Sequence, residues 1–241
     1  MKRFLNILLI LCFPAVFVNA VSPNEIRYYP VHHASFVIST DRLIIFVDPT
    51  GTVDQYANFR KPDIILITHE HPDHFDKDLI EKLKSESTMI IAPAIITSVL
   101  KYGQTIRNGE TYTDKKIKIE ALPMYNTTPE RLKYHKKGVG NGYVLTLNKR
   151  RIYISGDTED IPEMLQLKNI DDAFVCMNLP YTMSADQAAK AVLSFRPANV
   201  YPYHYRTQGV KLQETINTFK NIVAADKNIH LQLLKWYDKD E

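Results

Sequence analysis

The chain has 241 residues, with 30 Lys and Arg against 27 Asp and Glu. That length gives one large domain or two small ones, with room for a packed core. The near balance of charge gives no reason to expect a nucleic-acid partner, and two cysteines, Cys12 and Cys176, are too few for a disulfide-stapled fold.

The first twenty residues read as an export signal. Lys2 and Arg3 make a basic start, Phe4 to Val18 is apolar apart from Asn6 and Pro14, and Val18-Asn19-Ala20 suits a signal peptidase. The apolar run is short for a membrane span, which needs about 20 residues; an uncleaved anchor is the other reading. Cleavage between Ala20 and Val21 leaves 221 residues in a single domain, 21–241, with 28 basic and 27 acidic side chains. The basic excess therefore belongs mainly to the signal. Cys176, alone in the mature chain and inside an apolar run, reads as a small core residue.

Runs of β-branched and aromatic residues predict strands near 26–30, 35–39, 43–47, 63–68 and 88–92 in the first half. Further runs follow near 116–122, 142–147, 151–155, 172–177, 198–203 and 229–235. Asp41-Arg42 and Asn148-Lys149-Arg150 read as hairpin turns. Ile64 to Ile67 is apolar without alternation, which predicts a strand covered on both faces. Helices are expected after Asp76 (Leu79, Ile80, Leu83), after the capping box Ser184-Ala185-Asp186-Gln187, and around Ile216, Phe219 and Ile222. Strands interleaved with a few amphipathic helices make an α/β layered fold.

The chemistry concentrates in "ILITHEHPDHFD", residues 65–76, where the strand of Ile64 to Ile67 ends and the next helix has not begun. His69 and His71, two apart, point to one side of an extended chain. Pro72 ends the extension, so Asp73 and His74 aim at a second point nearby. Such geometry suits two metal ions a few ångströms apart. Imidazole and carboxylate are ligands for zinc and related ions, and more of them are expected at other strand ends. His135 stands in a polar loop, Asp157 follows "RIYISG", and His204 follows the strand in "NVYPYHY". The sequon Asn126-Thr127-Thr128 lies close to His135 in sequence, so an unglycosylating host is expected.

The order His-x-His-x-Asp-His, a lone His before a Gly-rich turn, Gly-Asp-Thr after a strand and a late His resembles the metallo-β-lactamase-fold hydrolases. "HHASFVI" followed by "IIFVDP", and "HKKGVGNGYVLTL" followed by "IYISGDTED", are similar to the branch containing the ascorbate-6-phosphate lactonase-like enzymes. The resemblance runs from about Tyr28 to Arg206. It implies an αββα sandwich of two mixed sheets flanked by helices. His69, His71 and His135 would hold one ion, Asp73, His74 and His204 the second, and Asp157 would bridge them. His33 would support the site without ligating, while His32 and His230 read as structural.

The expected function is that of an exported, dinuclear, metal-dependent hydrolase. A metal-bridged hydroxide, oriented by Asp73, would attack an ester, lactone, phosphodiester or amide of a small-molecule substrate. No organic cofactor is expected. By ligand type the expected ions are zinc, with Mn2+ or Fe2+ also admitted. The alternative is an exported metal-binding protein of the same fold without turnover.

Overall fold

A computed structural model describes residues 25–237; the expected signal segment lies outside them. The first half of the chain builds a six-stranded sheet in sequence order. Its strands are β1 (Arg27–His32), β2 (Ser35–Ser39), β3 (Ile44–Val47), β4 (Ile64–Leu66), β5 (Met89–Ala92) and β6 (Gln104–Thr105). The second half builds a seven-stranded sheet. It contains β7 (Thr111–Thr113), β8 (Ile117–Met124), β9 (Gly140–Leu147), β10 (Arg150–Ile154), β11 (Asp172–Cys176), β12 (Asn199–Tyr203) and β13 (His230–Leu231). Both sheets are mixed. β1 to β3 and β7 to β10 are antiparallel, whereas β3 to β6 and β10 to β13 pair in parallel.

Helices α1 (Lys77–Leu83) and α2 (Ala94–Leu100) cover the outer face of the first sheet. α3 (Pro162–Leu165), α4 (Ala185–Phe195) and α5 (Leu212–Val223) belong to the other side. Ile64 and Leu66 enter the core between the sheets, and Ile65 and Ile67 enter the core beneath α1 and α2. Strand β4 is therefore covered on both faces, the reason its sequence does not alternate. Phe36 of β2 stacks on Phe174 of β11 across the sandwich, centroids 4.4 Å apart. Fully burying side chains of this size contributes about 1.5–3 kcal/mol each. Cys176 is buried there as expected, and burial pushes its thiol up to about 12.

The hairpin between β9 and β10 turns on Asn148 and Lys149, both at positive φ (50° and 68°), as a two-residue type I′ turn requires. Only half of the expected capping box forms at α4. Ser184 accepts from the Gln187 backbone N–H, while the Gln187 amide reaches away to Asp160 at 2.5 Å. Residues 94–100 carry no predicted helix because "AIITSVL" is rich in β-branched residues. The chain nevertheless forms α2 by burying Ile96 and Leu100, one turn apart, and leaving Ile95 and Val99 outside. The strand expected over 229–235 is shorter than its composition suggests. After Gln232 bonds to Val200 the chain leaves the sheet, Leu233 is exposed, and Trp236 turns back into the core. Among the described residues, no helix is long and apolar enough to cross a membrane.

Candidate metal centre

The histidine-rich loop begins where β4 ends and is fastened from both sides. Tyr143 of β9 donates its hydroxyl to the Ile67 carbonyl (2.7 Å), and the Asn141 N–H donates to the Thr68 carbonyl (2.9 Å). The N–H groups of His74 and Phe75 both return to the His71 carbonyl, giving the turn expected at Pro72. Gly140 is small for a local reason: a Cβ there would stand 3.0 Å from His69 Cβ and 2.6 Å from the Met124 methyl.

The structure brings all seven sequence-derived candidates together. His71 Nδ1 lies 3.1 Å from His69 Nε2 and 3.2 Å from His135 Nε2. On the other side, His204 Nε2 is 3.3 Å from Asp73 Oδ2 and 3.4 Å from Asp157 Oδ2. His74 Nε2 is 3.4 Å from Asp157 Oδ1 and 3.9 Å from Asp73 Oδ2. Asp157 also reaches the first group, with Oδ2 3.5 Å from His135 Nε2. A tetrahedral ion with bonds of 2.0–2.1 Å separates its ligand atoms by about 3.3 Å. The spacings here cluster around that edge length. His74 Nε2, His204 Nε2 and Asp157 Oδ1 are buried without a hydrogen-bond partner, a costly arrangement that a cation between them would relieve. The donor set thus fits divalent ions.

Three residues near the centre sit in left-handed backbone just beyond a strand: His33 after β1, Asp48 after β3 and His204 after β12, at φ 52°, 43° and 48°. Such conformations are uncommon outside glycine and are retained where a side chain must be aimed. His33 packs its ring 4.0 Å from that of His204 and places Nε2 3.5 Å from Asp73 Oδ2. Its Nδ1 contacts the Tyr237 hydroxyl at 2.9 Å. With Asp73 and His204 it also brings one donor atom each within 4.8 Å of one another, an arrangement that could hold an ion, whereas a supporting role without ligation was expected of it. His32 and His230 are exposed and lie outside the cluster.

Sequence reasoning missed the residues that orient the histidines. Buried Asp48 takes the Thr68 N–H and hydroxyl, each at 2.7 Å, and contacts His74 Nδ1 at 2.8 Å. The Thr68 hydroxyl is in turn 2.9 Å from His69 Nδ1. Asn126 and Asn178 place their amides 3.2 and 3.0 Å from Nδ1 of His135 and His204. The signal for Asp48 was present, a charged residue closing the apolar run of "IIFVDP". Asn126 is buried, and its Nδ2 donates to the carbonyls of Arg131 and Tyr181, so its amide is engaged inside the protein.

Burial, reinforced by neighbouring rings, lowers the pKa of His69 and His135 and keeps them neutral, the state that ligates. His74 behaves oppositely. Burial alone would lower it, but Asp157 and Asp48 hold it well above the ordinary histidine value. Burial would raise Asp157, yet His204 and His74 keep its carboxylate ionised. Asp73 is likewise held low by His204 and His33 against the effect of burial. Beside the cluster opens a cleft of about 540 Å³ lined by His33, His71, Asp73, His135 and Asp157, with Tyr134, Tyr181 and Arg206 on its walls.

Two mixed sheets between helices, with a histidine and aspartate cluster at their edge, define a metallohydrolase of the αββα type. Residues 25–204 match the family model described as the beta-lactamase superfamily domain, and the chain belongs to that family. A UPF0173 metal-dependent hydrolase of Thermococcus onnurineus is 32% identical, covering 73% of this chain and 82% of the relative. A crystal structure from Parabacteroides distasonis, provisionally named a metal-dependent hydrolase, is 43% identical with a TM-score of 0.78, covering 88% of this chain and 94% of that one. The metallohydrolase Igni18 of Ignicoccus hospitalis shares the fold at 21% identity and TM-score 0.70, covering 87% and 94%. The protein is a metal-dependent hydrolase of the metallo-β-lactamase superfamily.

Proposed function

We propose that the centre holds two divalent ions, zinc by ligand type, and that the protein hydrolyses an ester, lactone, phosphodiester or amide in a small molecule. The observation that carries this reading is Asp157, whose carboxylate lies 3.4–3.5 Å from histidines of both groups. His69, His71 and His135 would hold one ion, and Asp73, His74 and His204 the other. When bound, the pair supplies an ionised water at neutral pH and polarises the bond to be cleaved. The chain's own part is to fix geometry. Asp73 is 44% exposed on the cleft side, anchored through Oδ2 by His204 and His33, and is placed to orient the attacking water. Nδ1 contacts from Asp48 and Thr68 fix the rings of His74 and His69, so little reorganisation is needed.

Elemental analysis of protein loaded to saturation tests the stoichiometry, and a screen of esters, lactones and phosphodiesters tests the reaction. His204→Ala is expected to weaken the second ion more than the first, and Asp157→Ala to weaken both. One ion in the fully loaded wild type would contradict the reading. We also propose export with cleavage between Ala20 and Val21, on the basic start and apolar run of the first twenty residues. Intact mass of the protein from its native host checks this, and a mature form beginning at Met1 would defeat it.

A further inference from the structure

His69, His74, His135 and His204 share one construction: Nε2 faces the centre and Nδ1 is held by a polar side chain. The partner on Nδ1 is the Thr68 hydroxyl for His69, the Asp48 carboxylate for His74, and the amides of Asn126 and Asn178 for His135 and His204, at 2.9, 2.8, 3.2 and 3.0 Å. His33 is built the same way. Its Nδ1 is 2.9 Å from the Tyr237 hydroxyl, and its Nε2 is 3.5 Å from Asp73 Oδ2. The second separation exceeds an ordinary N–H···O bond of about 2.7–3.2 Å and lies near the ~3.3 Å edge between donors on one tetrahedral ion. His204 Nε2 stands 3.3 Å from the same carboxylate oxygen. His33 and His204 also leave their strands alike, at φ 52° and 48°, a backbone cost retained where a side chain must be aimed.

Resting on the two-ion reading above, we propose that His33 is a further ligand of the second ion, bound through Nε2, and that Tyr237 orients it. Ligation by Nε2 leaves a proton on Nδ1, which the Tyr237 hydroxyl is placed to accept. Trp236, buried in the core, fixes the chain beside Tyr237. The two ends of the described chain therefore meet at one ion, β1 supplying the ligand and the last described residue its partner. With Asp73, His74 and His204, and Asp157 bridging, that ion would have one side-chain donor more than a tetrahedral zinc site uses. Such a set of nitrogen and oxygen donors suits Mn2+ or Fe2+ as well as zinc of expanded coordination.

Protein labelled with nitrogen-15 histidine and loaded with cadmium-113 tests the bond itself, because one-bond scalar coupling between the two nuclei arises only where nitrogen is bound to the ion. Coupling is expected at His33 Nε2, to the same cadmium that couples to His204, and its loss in His33→Asn identifies it. Asparagine tolerates the left-handed backbone, and its shorter side chain ends short of the position of Nε2. In stepwise chelator competition His33→Asn is expected to weaken the second ion by more than about tenfold and to leave the first within about twofold. Tyr237→Phe should keep the coupling and weaken the second ion by about tenfold; unchanged affinity would overturn the orienting role. Coupling at His204 without coupling at His33 would overturn the ligand assignment and leave the two-ion reading standing. A single cadmium resonance coupled to His33 would count against the pair and still support His33 as a ligand.

Discussion

Asp48 shows how much one buried carboxylate can organise. It receives the N–H and hydroxyl of Thr68 and contacts His74 Nδ1, so it sets the strand exit and one ring together. Asp48→Asn keeps the shape but replaces an acceptor oxygen with a donor facing other donors. Loss of such an orienting partner costs about 10–100-fold in metal affinity. That loss is expected at the His74 group, with a smaller effect on the His69 group, which feels Asp48 only through Thr68. Stepwise chelator competition measures the two affinities, and equal losses at both would argue against this division. The candidate ligands were legible in the sequence because imidazoles and carboxylates clustered at strand ends stand out by residue type. Their orienting partners were not legible. Thr68, Asn126 and Asn178 are common residues, and only the fold puts them beside a ring nitrogen.

At the scale of elements, the loop from β8 to β9 carries His135 and would be long and loose without a clamp. Glu159, buried just beyond Asp157, supplies one. Its carboxylate accepts the N–H groups of Thr127 and Thr128 at 2.6 Å each, both threonine hydroxyls, and Arg131. The loops bearing His135 and Asp157 are thereby joined through one side chain. Burial would raise this acid, but the Thr128 and Thr127 bonds and Arg131 hold it at about 2. An ordinary glutamate ionises near pH 4.3, so the depressed value contributes stability in full above about pH 4.3. That contribution is lost as pH falls through about 2. Glu159→Gln should therefore be less stable than wild type at pH 7, with the difference closing between about pH 4 and pH 2. Denaturant melts of the ion-free proteins check this, and a pH-independent difference would remove the ionic clamp. Sequence periodicity located α1, α4 and α5, where apolar spacing and caps agree. It missed α2, whose β-branched residues favour strand locally and are overruled by burial of Ile96 and Leu100. It also missed β6 and β7, which at two and three residues are too short to show alternation.

For the molecule as a whole, the centre joins the two sheets. His69, His71, Asp73 and His74 follow β4 of the first sheet, whereas His135, Asp157 and His204 come from the second. Ions bound here are linked to folding of both layers. Binding at 100 times Kd at one site adds about 2.7 kcal/mol, which in a domain of this size raises the melting temperature by about 5–10 °C. Chelated protein is expected to melt lower by that amount and to recover when zinc is restored; an unchanged melting temperature would separate the centre from stability. The same arrangement bears on when the ions can arrive. A ribosome that has finished the first sheet has delivered four candidate ligands, and His204 emerges only after six strands of the second. No chain that stops short of His204 offers the full set, and none can form it until β12 lies beside β11. Ions that need all seven ligands therefore bind only after β12 has folded, and the metal supply that the folded protein meets decides which ion it carries.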